Sequence, residues 1–315
     1  MALIETAKVV VLVGGVGGAK LAHGLAQILP PENLTVIVNT GDDFWHYGLK
    51  ICPDLDTVMY TLSGLVDKTN GWGVGGDTTR MLEALGRFGE TPWFRLGDQD
   101  VATHLLRTHG LQAGERLTTI TGKLNKALGV SCTVLPMTDT PVSTMLDTVE
   151  HGELEFQPYF VRYRWQPTVT AIRYAGIETA SVSAEACAAL LAADVILIGP
   201  SNPWLSIAPI LSVPAMRDLL VARDVPRVAV SPIVGGKAIK GPAAKLMAEL
   251  GYTVSAQTVA QVYGNAINGF VYDEADADLR IAGLDAVTFD TVMQSEADRA
   301  TLARHILAWT LRNKE

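Results

Sequence analysis

The sequence has few cysteines, and the three that it has lie far apart, at Cys52, Cys132 and Cys187. None of them belongs to a CxxC pair or to the Cys/His spacing that is typical of a zinc site. The pattern therefore argues against a disulfide framework and a structural zinc site, and it suits a reduced cytoplasm.

The 315 residues also lack an excess of positive charge, long apolar runs and an export signal. A net charge of −8 argues against a broad nucleic-acid surface, so anionic substrates would need local cations or a metal. No apolar run approaches the roughly 18 residues of a membrane span, and Glu5 and Lys8 interrupt the apolar N-terminal stretch. We therefore expect a soluble cytoplasmic protein without nucleic-acid or membrane partners.

Short runs of β-branched residues alternate with helical patterns at both ends of the chain. The predicted strands cover residues 8–13, 34–40, 194–200 and 227–236. The predicted helices cover residues 19–29, about 214–222 and about 241–250. This alternation is typical of an α/β protein with a doubly wound, mainly parallel, Rossmann-like sheet.

The middle of the chain has a different pattern. Residues 54–128 are mostly helical in character, whereas 142–164 and 168–174 alternate polar and apolar residues, which predicts a small antiparallel subdomain. We expect a single α/β unit over residues 1–315. Its core sheet comes from about 8–60 and 190–280, and a helical and antiparallel insertion covers about 61–180.

A glycine-rich turn follows the first predicted strand, and its members are Gly14, Gly15, Gly17, Gly18 and Lys20. Backbone N–H groups and the positive end of a helix meet at such a turn, which favours a bound phosphate or nucleotide. The spacing matches neither GxGxxG, since Lys20 stands where the last glycine belongs, nor the P-loop. A tight turn whose glycines serve packing alone is the structural alternative.

Four aspartates follow the second predicted strand, namely Asp42, Asp43, Asp54 and Asp56. Loops at the carboxyl ends of neighbouring parallel strands meet at one edge, so the first two are expected to face the glycine turn. Carboxylates beside a phosphate are ligands that Mg²⁺ requires. We predict that Asp42 and Asp43 hold Mg²⁺. The same role is open to Asp54 and Asp56, and Asp54 has the alternative role of capping the helix that follows.

Two later loops also follow predicted strands, and loops in this position bind ligands in α/β proteins. Ser201 and Asn202 offer hydroxyl and amide groups, and Gly235 and Gly236 follow the next strand. Four other polar residues are better explained by helix capping, burial or surface exposure than by chemistry: Asp77, Asp98, Asp100 and His104.

Several segments occur in a fixed order along the chain. They are GGVGGAKLAHGL, VNTGDD, ICPDLDTVMYTLSG, WFRLGDQDVATHLLRT, LPMTD, GPSNPWLSIAPIL, VAVSPIVGG and GFVYD. Over roughly residues 8–280 this ordered set resembles the 2-phospho-L-lactate transferase family of coenzyme F-420 biosynthesis. The tail beyond residue 280 shows no recognisable motif.

The resemblance implies an enzyme that joins a deazaflavin riboside, 7,8-didemethyl-8-hydroxy-5-deazariboflavin, to a phospho-acid carried on guanosine diphosphate. The donor is lactyl-2-diphospho-5′-guanosine in archaeal members and the enolpyruvyl counterpart in actinobacterial members, GMP leaves, and Mg²⁺ is required. The resemblance further implies that the ribityl hydroxyl is the nucleophile and that the four aspartates supply the metal ligands and the base. The glycine turn would cradle the transferring diphosphate, and the 201–202 and 235–241 loops would hold the guanosine side.

The flat deazaflavin ring needs an apolar pocket beside the metal, because its hydroxyl must reach the phosphorus. The candidates lie next to the aspartates in the sequence and are Trp45, His46, Leu49, Pro53, Leu55 and Trp72. Aromatic faces stack on such rings, although these residues would otherwise be ordinary core or surface side chains. We also expect a homodimer.

One alternative belongs to a different class of protein. A UDP-sugar-binding regulatory family of gluconeogenesis and cell shape shares the fold and the glycine-rich opening, but it has no established transfer reaction. The segment GLKICPDLDTVMYTLSG resembles the transferases and not the regulators. The sequence does not select among lactyl, enolpyruvyl and glyceryl donors, because one hydroxyl or double bond is sensed by few contacts.

Overall fold

A computed structural model describes residues 2–312, with side chains from residue 4 onward. Its strands are β1 (Val9–Val13), β2 (Leu34–Val38), β3 (Phe44–His46), β4 (Leu49–Ile51), β5 (Thr133–Pro136), β6 (Ser143–Thr148), β7 (Gly152–Glu155), β8 (Val169–Ala175), β9 (Val195–Ile198), β10 (Arg227–Val230), β11 (Ile233–Val234), β12 (Lys237–Ala238), β13 (Gly269–Asp273) and β14 (Asp285–Phe289).

The α-helices lie between these strands and after them. They are α1 (Ala2–Thr6), α2 (Gly15–Ala26), α3 (Pro53–Leu62), α4 (Arg80–Arg87), α5 (Asp98–Gln112), α6 (Leu117–Ala127), α7 (Ala184–Ala192), α8 (Ala208–Ser212), α9 (Met216–Val221), α10 (Ala243–Glu249), α11 (Ala256–Tyr263) and α12 (Glu296–Leu311). The helices predicted near residues 214–222 and 241–250 are confirmed as α9 and α10.

The main sheet has seven strands in the order β14–β13–β10–β9–β1–β2–β5, and its neighbouring strands are parallel. This confirms the predicted doubly wound α/β fold. The chain winds outward from β1 through β2 to β5, and it then returns to β9 on the other side of β1. The crevice at the carboxyl ends of β1 and β9 is therefore the switch point, where open α/β sheets bind ligands.

Both faces of the sheet are covered, as expected for strands that are apolar throughout. Val9, Val11 and Val13 pack on one face with residues of α2 and α12, while Val10 and Leu12 belong to a second cluster on the other face. Each fully buried side chain of this size stabilises the fold by about 1.5–3 kcal/mol. Within residues 2–312 no helix is long and apolar enough to cross a membrane.

The sheet extends beyond the predicted core ranges at both edges. β5 falls inside the predicted insertion yet pairs with β2, and β14 lies beyond residue 280 yet pairs with β13. Both are short edge strands: β5 ends at Pro136, which an edge tolerates, and β14 is only partly buried. Their apolar runs are too short to predict a strand without the partner strand.

The antiparallel subdomain is a three-stranded sheet in the order β7–β6–β8. Its existence confirms the prediction, but the strand predicted to continue to residue 164 ends at Glu155. Residues 158–162 instead form a π-helical turn that begins with a proline. This turn buries Tyr159 completely in a cluster with Phe156 and Leu205, which an extended strand would not achieve.

The helical segment contains a reciprocal pair of helix caps. Asp98, the first residue of α5, accepts hydrogen bonds from the N–H groups of Arg80 and Met81 at the start of α4. Asp77, just before α4, accepts hydrogen bonds from the N–H groups of Gln99 and Asp100 in α5. Both aspartates therefore act as caps, as favoured from the sequence, but each caps the helix of the other.

Candidate active site

The glycine turn packs closely against the loop that follows β9. A side-chain carbon on Gly17 would lie 2.4 Å from the carbonyl oxygen of Pro200, and one on Gly18 would lie 2.5 Å from the Ser201 Oγ atom. Gly15 has a φ angle of 62°, which glycine adopts without strain. The packing role of these glycines is therefore confirmed, and their role in binding phosphate stays a prediction.

The helix after the turn begins at Gly15, four residues earlier than the predicted start at residue 19. Its first N–H group donates a hydrogen bond of 2.7 Å to Asp54 Oδ1. A side-chain carbon on Gly14 would lie 2.5 Å from the other oxygen of Asp54. The acidic segment, residues 42–56, and the glycine turn are thus in direct contact, as the rule of adjacent strand ends predicts. The contact is made by Asp54, whereas Asp42 and Asp43 were expected to face the turn.

Asp54 does not cap its own helix, so the capping alternative is wrong. The N-cap residue of α3 is Cys52, and the oxygens of Asp54 accept hydrogen bonds from Gly15 and from Asn39 Nδ2, the latter at 2.9 Å. Burial raises the pKa of Asp54 to about 6, although these two donors lower it. The side chain is therefore held in place by neutral donors, which do not cancel its charge.

Asp42 lies beside Asp54 and is equally buried. Burial raises the pKa of Asp42 well above its ordinary value, and the charge of Asp54 raises it further. The Oδ1 atom of Asp42 is buried and makes no hydrogen bond to any part of the chain that the structure describes. An uncompensated carboxylate pair of this kind is a suitable environment for a cation.

Asp43 points to a different set of partners. Its Oδ2 atom lies 3.9 Å from Lys50 Nζ, and its buried Oδ1 atom has no hydrogen-bond partner among residues 4–312. Burial raises the pKa of Asp43 to about 6, while Lys50, Cys52 and Arg107 act in the opposite direction. Asp43 therefore keeps one oxygen available for a ligand.

Asp56 has both carboxylate oxygens engaged by the guanidinium of Arg107. His104 Nδ1 lies 3.6 Å from the same carboxylate, and its Nε2 atom lies 3.3 Å from Asp100. Ligand atoms of Asp56, Asp100 and His104 lie within 4.8 Å of one another, but a buried Arg107 beside them opposes a cation there. In this structure the Asp56 carboxylate is paired within the protein, and its catalytic role stays a prediction.

The loop after β9 contains Ser201, whose hydroxyl is hydrogen-bonded, and Asn202, whose amide nitrogen is not hydrogen-bonded to any described residue. Ser201 Oγ accepts a hydrogen bond from Gly14 N–H and donates one to Gly14 O, so its hydroxyl joins two loops. Asn202 Oδ1 caps the following turn, where it accepts from Trp204 and Leu205 N–H groups. The Asn202 Nδ2 atom is buried and makes no hydrogen bond within the described chain, so it is available to a ligand.

The remaining residues predicted to hold the nucleotide are not brought to the aspartates. Lys20 Nζ donates a hydrogen bond of 2.6 Å to Met293 O, in the segment before α12. Gly235 and Gly236 form the turn between β11 and β12, and Gly235 N–H donates to Asp276. A nucleotide-binding role for these three residues stays a prediction.

The residues predicted to line the ring pocket fall into three groups. Trp45 and Trp72 are exposed, at 57% and 44%, and Pro53 and Leu49 are half-buried. His46 is buried and packs against the rings of Phe44, Trp93 and Phe94, none of which was predicted. Leu55 is completely buried in the core cluster beside β1, so its prediction as a ring contact is wrong. Its position on α3 turns it toward the sheet.

Four residues of this site were missed by the sequence reasoning: Asn39, Lys50, Arg107 and Thr144. Asn39 directly follows β2, a position that strand-end reasoning would have selected. Thr144 comes from β6 of the antiparallel subdomain, and its N–H group donates to Gly41 O at 2.6 Å. The subdomain thus covers the acidic loop, a contact with no local signal in the sequence.

Comparisons with known proteins agree with the resemblance found in the sequence. The profile of the family described as 2-phospho-L-lactate transferase CofD matches residues 9–308, which includes β14 and most of α12. The tail from residue 281 to residue 308 therefore matches the family as well, although it shows no motif that predicted this.

Relatives with this length of match carry two names. The 2-phospho-L-lactate transferase of Methanosarcina mazei is 41% identical over 302 residues, which cover 95% of this chain and 99% of the relative. The phosphoenolpyruvate transferase of Streptomyces coelicolor is 40% identical, with 95% and 97% covered, and that of Thermobifida fusca is 39% identical, with 98% and 99% covered.

The fold alone is shared with a UPF0052-family protein of Bacillus halodurans. Its two crystal structures match with TM-scores of 0.64 and 0.63 at 15% and 16% sequence identity, and they cover 96% of this chain and 99% and 100% of that protein. The chain itself belongs to the 2-phospho-L-lactate transferase (CofD) family, and it is a transferase of a substituted phosphate group.

Proposed function

We propose that the protein transfers 2-phospho-L-lactate, or its enolpyruvyl counterpart, from a guanosine diphosphate-linked donor to the ribityl hydroxyl of 7,8-didemethyl-8-hydroxy-5-deazariboflavin. GMP is released, and the product belongs to coenzyme F-420 biosynthesis. Family membership supports this proposal, together with the buried oxygens of Asp42 and Asp43 that have no hydrogen-bond partner in the described residues. We further propose that the protein is cytoplasmic and that it forms a homodimer. Light scattering tests the homodimer.

The donor set fits a hard divalent cation. Asp42 and Asp43 each have a buried oxygen without a hydrogen-bond partner in the described residues, and oxygen ligands are those that Mg²⁺ prefers. We propose that these two residues hold Mg²⁺, which when bound neutralises the phosphate oxygens and polarises the phosphorus. Because burial raises the pKa of both carboxyl groups, protons compete with the metal in the free protein.

The chain's own groups supply the remaining parts of a phosphoryl transfer, which depends mainly on positioning and charge neutralisation. Asp54 is suited to accept the hydroxyl proton, because its pKa of about 6 is close to neutral and two donors fix its orientation. The N-terminus of α2 lies next to it and favours a negative phosphate. Asn202 Nδ2 supplies a further buried donor.

A direct assay tests the proposal. The protein is incubated with the deazaflavin riboside, Mg²⁺ and the lactyl, enolpyruvyl or glyceryl donor in turn, and the products are identified by mass spectrometry. We expect a riboside phosphodiester and GMP with at least one donor, and none when EDTA is present. Clear binding of a UDP-sugar without riboside binding or transfer would overturn the proposal in favour of the regulatory alternative.

A further inference from the structure

One face of α5 presents four polar residues to the acidic segment. Asp100, His104, Arg107 and Thr108 are spaced four, three and one residues apart, which places them along the same side of a helix. All are buried or nearly so, and Arg107 is the largest side chain that is fully buried in the described chain. A helix face of this kind needs partners on the neighbouring elements.

The backbone of Lys50 is held by two consecutive residues of this face. Its N–H group donates a hydrogen bond of 2.8 Å to Thr108 Oγ1, and its carbonyl oxygen accepts one of 3.3 Å from Arg107 Nη1. Lys50 lies on β4, which pairs with β3 directly after Asp43. The two contacts therefore fix the hairpin from which the Lys50 ammonium group reaches Asp43.

The same guanidinium also fixes α3 and the imidazole of His104. Arg107 donates to both carboxylate oxygens of Asp56, two residues after Asp54, and it lies 3.2 Å from His104 Nδ1. The other ring nitrogen of His104, Nε2, lies 3.3 Å from Asp100 Oδ2. One planar group thus joins β4, α3 and α5.

A buried ion pair is by itself weak support for stability, because well-packed apolar residues often replace it without loss. The fork of arginine, however, binds several acceptors in one fixed geometry, which a lysine does not reproduce. We propose that Arg107 is a positioning residue of the transfer reaction, which holds Lys50 and Asp56 so that Asp43 and Asp54 keep their places in the site. This inference rests on the proposed function.

The test compares Arg107→Lys with Arg223→Lys. Arg223 is half-buried and donates to Ala193 O, so the same substitution is made away from the acidic segment. Mn²⁺ binding to each folded protein is followed by electron paramagnetic resonance without organic substrates, and kcat and KM are measured below the melting temperature. For Arg107→Lys we expect Mn²⁺ affinity and kcat to fall about 10–100-fold with little change in the riboside KM, and Arg223→Lys to match the wild type.

A purely structural role for Arg107 predicts a lower melting temperature with unchanged Mn²⁺ affinity and kcat in the folded protein, and that result would overturn the proposal. If Arg107→Lys does not fold, Thr108→Val is the variant that tests the proposal. It removes one Lys50 contact, so we expect smaller losses of Mn²⁺ affinity and of kcat. Unchanged values in that variant would also overturn it. Normal Mn²⁺ binding by the wild type without any transfer would contradict the proposed function and leave the metal-affinity comparison intact as the test of Arg107.

Discussion

Two halves of the acidic segment can be compared directly, because each contains two buried aspartates. On one side Asp42 faces Asp54, and the groups that donate hydrogen bonds to Asp54 are the neutral side chain of Asn39 and the N–H group of Gly15. On the other side Asp43 and Asp56 lie beside cationic side chains, Lys50 and Arg107. All four residues are buried aspartates, and the two sides differ in whether a cationic side chain lies beside them.

The comparison shows that burial of a carboxylate does not by itself assign it a function. Asp56 is neutralised within the protein and holds other residues in place, whereas Asp42 and Asp54 carry a charge that the described chain leaves uncompensated. A metal at Asp42 or a substrate proton at Asp54 would compensate this pair. Four predictions test this division, and they are ordered from the largest expected effect to the smallest.

The largest effect is expected for stability when Asp56 is changed to Asn. The substitution leaves the fully buried Arg107 without its carboxylate, so the free energy of unfolding should fall by about 3–5 kcal/mol. The same substitution at Asp42 removes an uncompensated charge, and the protein should be as stable as the wild type or more stable. Urea denaturation measures both values, and equal losses for the two variants would contradict the comparison.

Asp42→Asn should not lower stability but should strongly reduce activity. Asp42→Asn is expected to lower Mg²⁺-dependent transfer by more than about 100-fold, the upper end for changes around a metal site, while the circular dichroism spectrum stays the same. The loss follows because an amide is a poorer Mg²⁺ ligand than a carboxylate. Near wild-type activity at moderate Mg²⁺ would show that this side does not hold the metal.

The metal-free protein should become more stable as the solution is acidified from about pH 7 to pH 5. The folded-state pKa of Asp43 and Asp54 is about 6, above the ordinary 3.8, so the folded protein binds these protons more tightly than the unfolded chain. Stability is thus highest below the ordinary pKa and falls as the pH rises through about 6.

Each such group contributes about 1.4 kcal/mol across this interval. Melting temperatures measured with EDTA at several pH values check the slope, and Asp54→Asn should flatten it. Added Mg²⁺ should stabilise the protein more at pH 7 than at pH 5, because protons compete with the metal. A rise in stability toward neutral pH without metal would contradict the assigned charges.

The smallest effect concerns Trp45, which lies on the cationic side with its ring 6.0 Å from Lys50 Nζ. If it stacks on the deazaflavin ring, Trp45→Ala should weaken riboside binding by roughly 1–2 kcal/mol, measured by quenching of tryptophan emission. The side chain is 57% exposed, so the melting temperature should hardly change. Phe88→Ala, another exposed aromatic, serves as the control, and equal affinity in both variants would exclude Trp45 from the site.

The sequence predicted the centre of the fold and the meeting of two loops for a physical reason. A buried parallel strand is apolar along its whole length, and the carboxyl ends of adjacent strands lie at one edge, so the glycine turn was expected to face Asp42 and Asp43. The two loops do meet, but the aspartate in contact with the turn is Asp54. The edge strands β5 and β14 were not found, because four or five residues carry too little periodicity and those of β14 are partly exposed.

What the sequence determined by itself is the set of elements that depend on near neighbours in the chain. Runs of valine and isoleucine fix the central strands, the glycines allow the close approach at β9, and the ordered segments identify the family. These signals are local or are repeated in a fixed order, so they can be recognised in the sequence alone.

Only the tertiary structure decided which aspartate has which role. Arg107 is 51 residues from Asp56 in the sequence, and Lys50 and Asn39 each reach a different carboxylate. Leu55 stands between two of the aspartates in the chain, yet it turns to the core. Electrostatic pairing depends on distances in space and on burial, and neither is fixed by spacing along the chain.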